Sequence, residues 1–209
     1  MTTPGEKRMN SSVPLTMIIT RLLFASYFIA AFFAIQSPPV PYSTMSYPWL
    51  AYLGTLYLLA ERGYTFFKRK KIDLTYSFPL LFANYILNGM TELVGGQERF
   101  PLLNRTEHLA SFIFLAYIVW TFFTKYLPQA VWRRHRYYTA ILVFSVTSTF
   151  GVINEIVELV LDSLFGTSLV GSQPDTSLDL LMNSLGAGLF LAVQLIISAT
   201  EKDTISPST

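Results

Sequence analysis

The chain has 209 residues, of which 52% are apolar, 15% aromatic and only 13% charged, with a mean hydropathy of +0.42. Globular chains carry about 25% charged residues, so the deficit and the long apolar runs point to an all-α, polytopic membrane protein. The lack of cysteine excludes disulfides, thiolate metal sites and a cysteine nucleophile, and two histidines, His108 and His135, are too few for a three-His zinc site.

In chain order, residues 1–14 read as a polar N-terminal tail. The first apolar run, Leu15 to Gln36, is longer than the ~7–15-residue core of a cleavable signal and reads as a retained span. A run of about 20 apolar residues crosses the hydrocarbon core. On that measure five more spans follow: Pro48 to Phe67, Leu74 to Val94, Glu107 to Phe123, Tyr138 to Leu161 and Leu178 to Thr200. Residues 15–200 then form one transmembrane helical domain, and 201–209 a C-terminal tail. Between the first two spans, Ser37-Pro38-Pro39-Val40-Pro41 reads as a stiff loop, because proline fixes φ and supplies no donor.

The net charge of +2 hides a segregation. Lys7 and Arg8, the run Lys68-Arg69-Lys70-Lys71 with Arg62, the group Lys125, Arg133, Arg134 and Arg136, and Lys202 all fall on one side of a six-span arrangement. The positive-inside rule makes that side, and both termini, cytoplasmic. Eight of the thirteen carboxylates fall on the other side: Glu92, Glu98, Glu107, Glu155, Glu158, Asp162, Asp175 and Asp179. Trp49, Trp132, Tyr42, Tyr47, Tyr137 and Tyr138 fall at the expected interfaces, as aromatic belts do. Arg21 is expected to snorkel to the cytoplasmic headgroups, and His135, inside Arg133-Arg134-His135-Arg136, to join a headgroup-facing basic cluster.

Asn88-Gly89-Met90-Thr91-Glu92-Leu93-Val94 echoes Asn154-Glu155-Ile156-Val157-Glu158-Leu159-Val160, both reading Asn-x-x-x-Glu-Leu-Val. Hairpins 74–123 and 138–200 are therefore candidate copies of one unit related by an axis along the membrane normal; chance similarity is the alternative. In either case Asn and Glu at i and i+4 share a helix face that lipid disfavours, so both faces should turn inward.

The acids supply the candidate site. Glu155 and Glu158, at i and i+3 beside Asn154, cannot both ionise comfortably without a cation or a basic neighbour, so either one is protonated or a metal or Arg sits between them; a helix end emerging into water, with both acids solvated, is the alternative. Asp175, Asp179 and Asn183 step by four and form one polar stripe, although Asp175 would also serve as an N-cap and Asp179 as a first-turn acid. Ser184 and Gly188 form a small-xxx-small pair that admits a neighbouring helix. Glu107 and His108 pair a carboxylate with an imidazole, although adjacent residues point to different sides of a helix. Arg105 is the counter-charge on the acidic side, and Asn84 and Asn88 are expected to make interhelical hydrogen bonds. The chain has no phosphate loop, dinucleotide fingerprint, zinc-protease or nucleophile-elbow motif. Its basic runs flank spans, so no nucleic-acid partner is expected.

The residues Asn154-Glu155-x-x-Glu158, then Gly171, then Asp175-Thr176-x-x-Asp179-Leu180-x-x-Asn183-x-x-Gly186-Ala187 resemble the VanZ-like and YjdF-like bacterial and archaeal inner-membrane proteins, over about Phe82 to Phe190. Leu103-Asn104-Arg105-Thr106-Glu107-His108 departs from the Arg-Asn-x-x-Asp-Arg-x-x-His region of those proteins, lacking its Asp-Arg pair and its His spacing. The resemblance implies a small inner-membrane helical bundle with acids at these positions; VanZ-like members are associated with glycopeptide tolerance.

Three functions remain open on this reading. The first is a carboxylate/His site facing the extracytoplasmic side of the cell membrane, which binds a divalent cation or proton and acts on, or binds, a lipid or lipid-linked headgroup. In it Glu158, Asp179, His108 and Glu155 do the acid/base chemistry; Arg105, Asn154, Asn183 and Asp175 bind ligand; and Glu92, Glu158 and Asp179 are the candidate metal ligands. Oxygen-rich sites suit Mg, Ca or Mn. The second is a small ion- or proton-coupled carrier. The third is a non-catalytic accessory subunit with a membrane-protein partner.

Overall fold

The computed structural model describes residues 14–37, 45–94 and 99–203. The expectations for the N-terminal tail up to residue 13, for residues 38–44 including Tyr42, for Glu98 and for the final residues 204–209 lie outside that range. All regular secondary structure among the described residues is helical. Its helices are α1 (Leu15–Gln36), α2 (Tyr47–Arg69), α3 (Ser77–Val94), α4 (Pro101–Tyr126), α5 (Gln129–Arg134), α6 (Arg136–Phe165) and α7 (Gln173–Asp203).

Four of these, α1, α4, α6 and α7, are long and apolar enough to cross a membrane. The other two long helices were also read as spans. α2 has 23 residues and α3 has 18, about 34 and 27 Å at 1.5 Å per residue. They are less apolar because they carry polar side chains that the bundle uses, among them Glu61 on α2 and Asn84, Asn88 and Glu92 on α3. The sequence places the first helix as found. It starts α4 and α7 too late, since they begin at Pro101 and Gln173 and so include Arg105 and Asp175; α6 begins two residues earlier than expected, at Arg136, and α3 three residues later, at Ser77.

Local chemistry sets the ends. Ser46 caps α2 through its hydroxyl, which accepts from the Trp49 amide at 3.4 Å, with Pro48 in the first turn. α4 opens on Pro101. α6 stops at Gly166, whose φ of +66° closes the last turn in the left-handed conformation that glycine adopts most readily. The Asp162 carboxylate ties down the following loop, accepting from the Leu169 and Val170 amides at 2.8 and 3.0 Å and from the Thr167 hydroxyl at 2.5 Å. Asp162 thus anchors a turn.

Burial runs opposite to that of a soluble domain. Leu22, Ile29 and Phe33 on α1 and Leu181, Leu185 and Leu189 on α7 are exposed, whereas Glu92, Asn104, Glu107, His108, Glu155, Asp179 and Asn183 are buried. This is the distribution a bilayer imposes, because hydrocarbon tolerates apolar surface but not unsatisfied polar groups. Two apolar clusters hold the helices. One joins α1, α2 and α3 through the Phe24, Tyr57, Phe82 and Tyr85 rings, with Phe24 4.6–5.2 Å from the others. The second joins α4, α6 and α7 through Ala116, Trp120, Val143, Ala187 and Phe190.

Three expectations about individual residues are corrected here. Arg21 does not snorkel freely; it forms a two-pronged ion pair with Glu61, both N···O distances 2.7 Å, and Tyr57 donates to the same carboxylate at 2.9 Å. A carboxylate one helix away satisfies a guanidinium better than a long reach to headgroups does. Trp49 is no belt residue: it is buried and donates its indole N–H to Asn88 at 3.2 Å. The close helix contact on α7 is made by Gly186 rather than by the Ser184/Gly188 pair. A Cβ on Gly186 would press on the Leu109 carbonyl oxygen of α4, whereas one on Gly188 would meet only Phe144 at 3.9 Å. Tyr137, Tyr138 and His135 are exposed, as a headgroup-level cluster requires.

Candidate functional site

The polar residues gather where the C-terminal part of α3 and α6 meets the N-terminal part of α4 and α7. On α4, Asn104, Glu107, His108 and Ser111 follow a 3-1-3 spacing that places all four on one face, and all four are buried. On α7 the Asp175–Asp179–Asn183 stripe faces them. The two helices form the most extensive pairing in the fold, and Gly186 lets their backbones touch one turn deeper.

Each pair across this seam is specific. Arg105 donates to Asp179 Oδ1 at 2.5 Å and also pairs with Asp175. The Asn104 amide donates to both Asp179 oxygens, at 3.1 and 3.3 Å. His108 Nδ1 lies 3.0 Å from Asn183 Oδ1. A carbonyl oxygen only accepts, so Nδ1 carries the proton in this arrangement. His108 Nε2 lies 3.7 Å from Asp179 Oδ2 and 3.8 Å from Glu107 Oε2, too far for a direct hydrogen bond. Glu107 and His108 therefore look into the same space, contrary to the expectation that chain neighbours diverge; a carboxylate and an imidazole are long enough to converge from adjacent positions.

Glu155 of α6 completes the site. It is 6% exposed, and neither carboxylate oxygen has a hydrogen-bond partner. Ligand atoms of His108, Glu155 and Asp179 lie within 4.8 Å of one another, a grouping able to hold a metal ion. The charges do not balance within the seam. Glu107, Glu155, Asp175 and Asp179 face one guanidinium, Arg105, and one imidazole. An uncompensated carboxylate at this depth is expensive, so a bound cation or protons must make up the difference.

The remaining expected residues form an adjoining network. Asn154 accepts from the Tyr52 hydroxyl and donates to Glu158 Oε1, both at 2.6 Å. Ser111 donates to Glu107 Oε1 at 2.7 Å and also contacts Asn84. Trp49 and Tyr52, one turn apart on α2, thus hold Asn88 and Asn154, the first residues of the two Asn-x-x-x-Glu segments. Of the candidate metal ligands, Asp179 lies in the His108–Glu155–Asp179 group. Glu158 is half-buried and bound by Asn154, and Glu92 is buried at the end of α3. Sequence reasoning did not single out Asn104 or Ser111, although their spacing to Glu107 and His108 in an apolar helix was a readable signal.

A family profile described as "Predicted membrane protein (DUF2238)" matches residues 11–200, and the chain belongs to that family. No curated protein and no solved structure matches it.

Proposed function

We propose, taking membership of this membrane family as the premise, that the chain carries an intramembrane cation-dependent site on the extracytoplasmic side of the cell membrane, which engages the phosphate-bearing headgroup of a lipid or lipid-linked molecule. The observation that carries the reading is Glu155: a buried carboxylate with both oxygens unpartnered, aimed at His108 and Asp179. Two features support the placement. The seam lies at helix ends opposite the basic segments 68–71 and 133–136, and its outer members, Arg105 and Asp175, sit near the N-terminal ends of α4 and α7.

Arg105 is already engaged by Asp175 and Asp179, so a phosphate would have to compete with them for it. A cation held by Glu155, Asp179 and His108 is the better anchor for a phosphate oxygen. The carrier reading is weaker, because the apolar cluster of Ala116, Val143, Ala187 and Phe190 lies along α4, α6 and α7 beyond the polar seam. The accessory reading draws support from the satisfied Tyr52–Asn154–Glu158 chain, which has the look of structural hydrogen bonding.

The test is elemental mass spectrometry of the purified protein, wild type beside Glu155→Gln/Asp179→Asn, with lipid phosphorus measured with and without chelator. About one metal per chain, lost in the double variant, together with lipid phosphorus released by chelator, is the expected result. A wild-type protein that binds no metal refutes the cation site. Metal bound by wild type and removed by chelator while lipid phosphorus stays unchanged refutes the headgroup part alone.

A further inference from the structure

Resting on the cation reading above, the geometry points to a first-row transition metal ion (Fe, Co or Zn class) bound through His108 Nε2, Glu155 and Asp179, with Asn183 as the residue that fixes the imidazole tautomer. The wider Mg, Ca or Mn expectation came from acids alone. An imidazole nitrogen inside the ligand set changes that, because carboxylate and carbonyl oxygens suit Mg and Ca whereas imidazole suits transition ions.

Four observations converge. Asn183 Oδ1 lies 3.0 Å from His108 Nδ1 and would accept its N–H, the tautomer in which a neutral imidazole presents its Nε2 lone pair to a metal. Metal-bound histidines commonly donate their other N–H to a carbonyl or carboxylate, which sets the tautomer and raises ligand basicity. The 3.7 and 3.8 Å from Nε2 to Asp179 Oδ2 and Glu107 Oε2 exceed hydrogen-bond range. They lie slightly above the spacing of two ligands on one ion, about 3–3.4 Å for metal–ligand bonds near 2.1 Å. Asp179 Oδ1 is taken by Arg105 and Asn104, while Oδ2, which receives only the longer 3.3 Å contact from Asn104, faces the imidazole. Glu155 adds two unpartnered oxygens in a side chain more than nine-tenths buried.

Asn183 holds its position because α6 presents Gly151 to it. A Cβ there would come within 3.1 Å of Asn183 Nδ2 and 3.2 Å of the Phe112 ring. That Nδ2 has no hydrogen-bond partner, so the contact with His108 is the polar interaction that orients the amide.

The experiment uses the full chain in lipid nanodiscs, stripped of metal and titrated with Co(II), with the visible spectrum and equilibrium metal content as readouts. One equivalent should bind with a nitrogen-ligated spectrum and resist a ~1000-fold excess of Mg or Ca. Asn183→Leu should weaken binding about 10–100-fold, and Asn183→Asp, which keeps an acceptor for Nδ1–H, should restore it. Displacement of Co by equimolar Mg or Ca overturns the transition-metal assignment and leaves a cation site standing. Unchanged affinity in Asn183→Leu overturns the role of Asn183. No metal bound by wild type overturns both this inference and the reading beneath it.

Discussion

Replacing Gly186 with alanine tests whether the α4–α7 seam is as tight as its geometry implies. The added Cβ would press on the Leu109 carbonyl oxygen and stand 3.2 Å from both the Leu109 carbonyl carbon and Phe112 Cβ. Carbon pairs are most favourable at about 3.5–4.0 Å, so clearing the carbons alone parts the helices by roughly 0.3–0.8 Å, and clearing the oxygen takes more. Neither neighbour can swing aside, since one is backbone and the other is a Cβ on the same helix. Overpacking of this kind costs about 1–3 kcal/mol. The shift also acts at the site, because His108 precedes Leu109 on α4 and Asp179 and Asn183 lie on α7, and functional constellations tolerate about 0.5 Å. Gly186→Ala should therefore melt earlier in detergent and lose metal. Gly63→Ala is the control: no atom lies within 4 Å of its Cβ, and alanine is the better helix former by about 1 kcal/mol, so it should be neutral or slightly stabilising. If Gly186→Ala matches wild type in melting and metal retention, the close approach of α4 and α7 does not hold as described.

Two further predictions concern residues away from the site. Arg21→Ala or Glu61→Ala should each destabilise the bundle by about 1–2 kcal/mol, since a charged hydrogen-bonded pair that is only partly buried is lost; the exchange Arg21→Glu/Glu61→Arg should recover part of this in thermal unfolding, and no recovery would mean the pair contributes nothing. Asp73, in the turn between α2 and α3, accepts from the Thr75 hydroxyl and amide, the amide at 2.9 Å, which holds its pKa below the ordinary carboxylate value. A depressed folded-state value stabilises above the unfolded pKa of about 3.9 and fades as pH falls through the folded one. Melting temperatures of wild type and Asp73→Asn should thus differ at pH 6, with the gap narrowing as pH falls below about 3.9, and a gap that widens over that range contradicts the assignment.

The helices and the polar faces were legible because both are local quantities. Apolar run length marks a span, and the i, i+3, i+4 period shows that Asp175, Asp179 and Asn183 share a face, whatever the rest of the chain does. Charge segregation is local in the same sense, since each basic segment abuts its own span. What meets what was not legible. His108 and Asn183 are 75 residues apart and Arg105 and Asp179 are 74 apart, and no local pattern specifies such pairs. Their pairing depends on which helices can approach closely, and that is decided by Gly186 against Leu109 and Gly151 against Asn183. The same packing gave Arg21 and Trp49 polar partners on neighbouring helices, Glu61 and Asn88. It also drew Glu155, rather than Glu92 or Glu158, into the group with His108 and Asp179. Hydrogen-bond and charge satisfaction in an apolar medium is a property of the assembled bundle, so the sequence could supply the acids while only the tertiary structure chose among them.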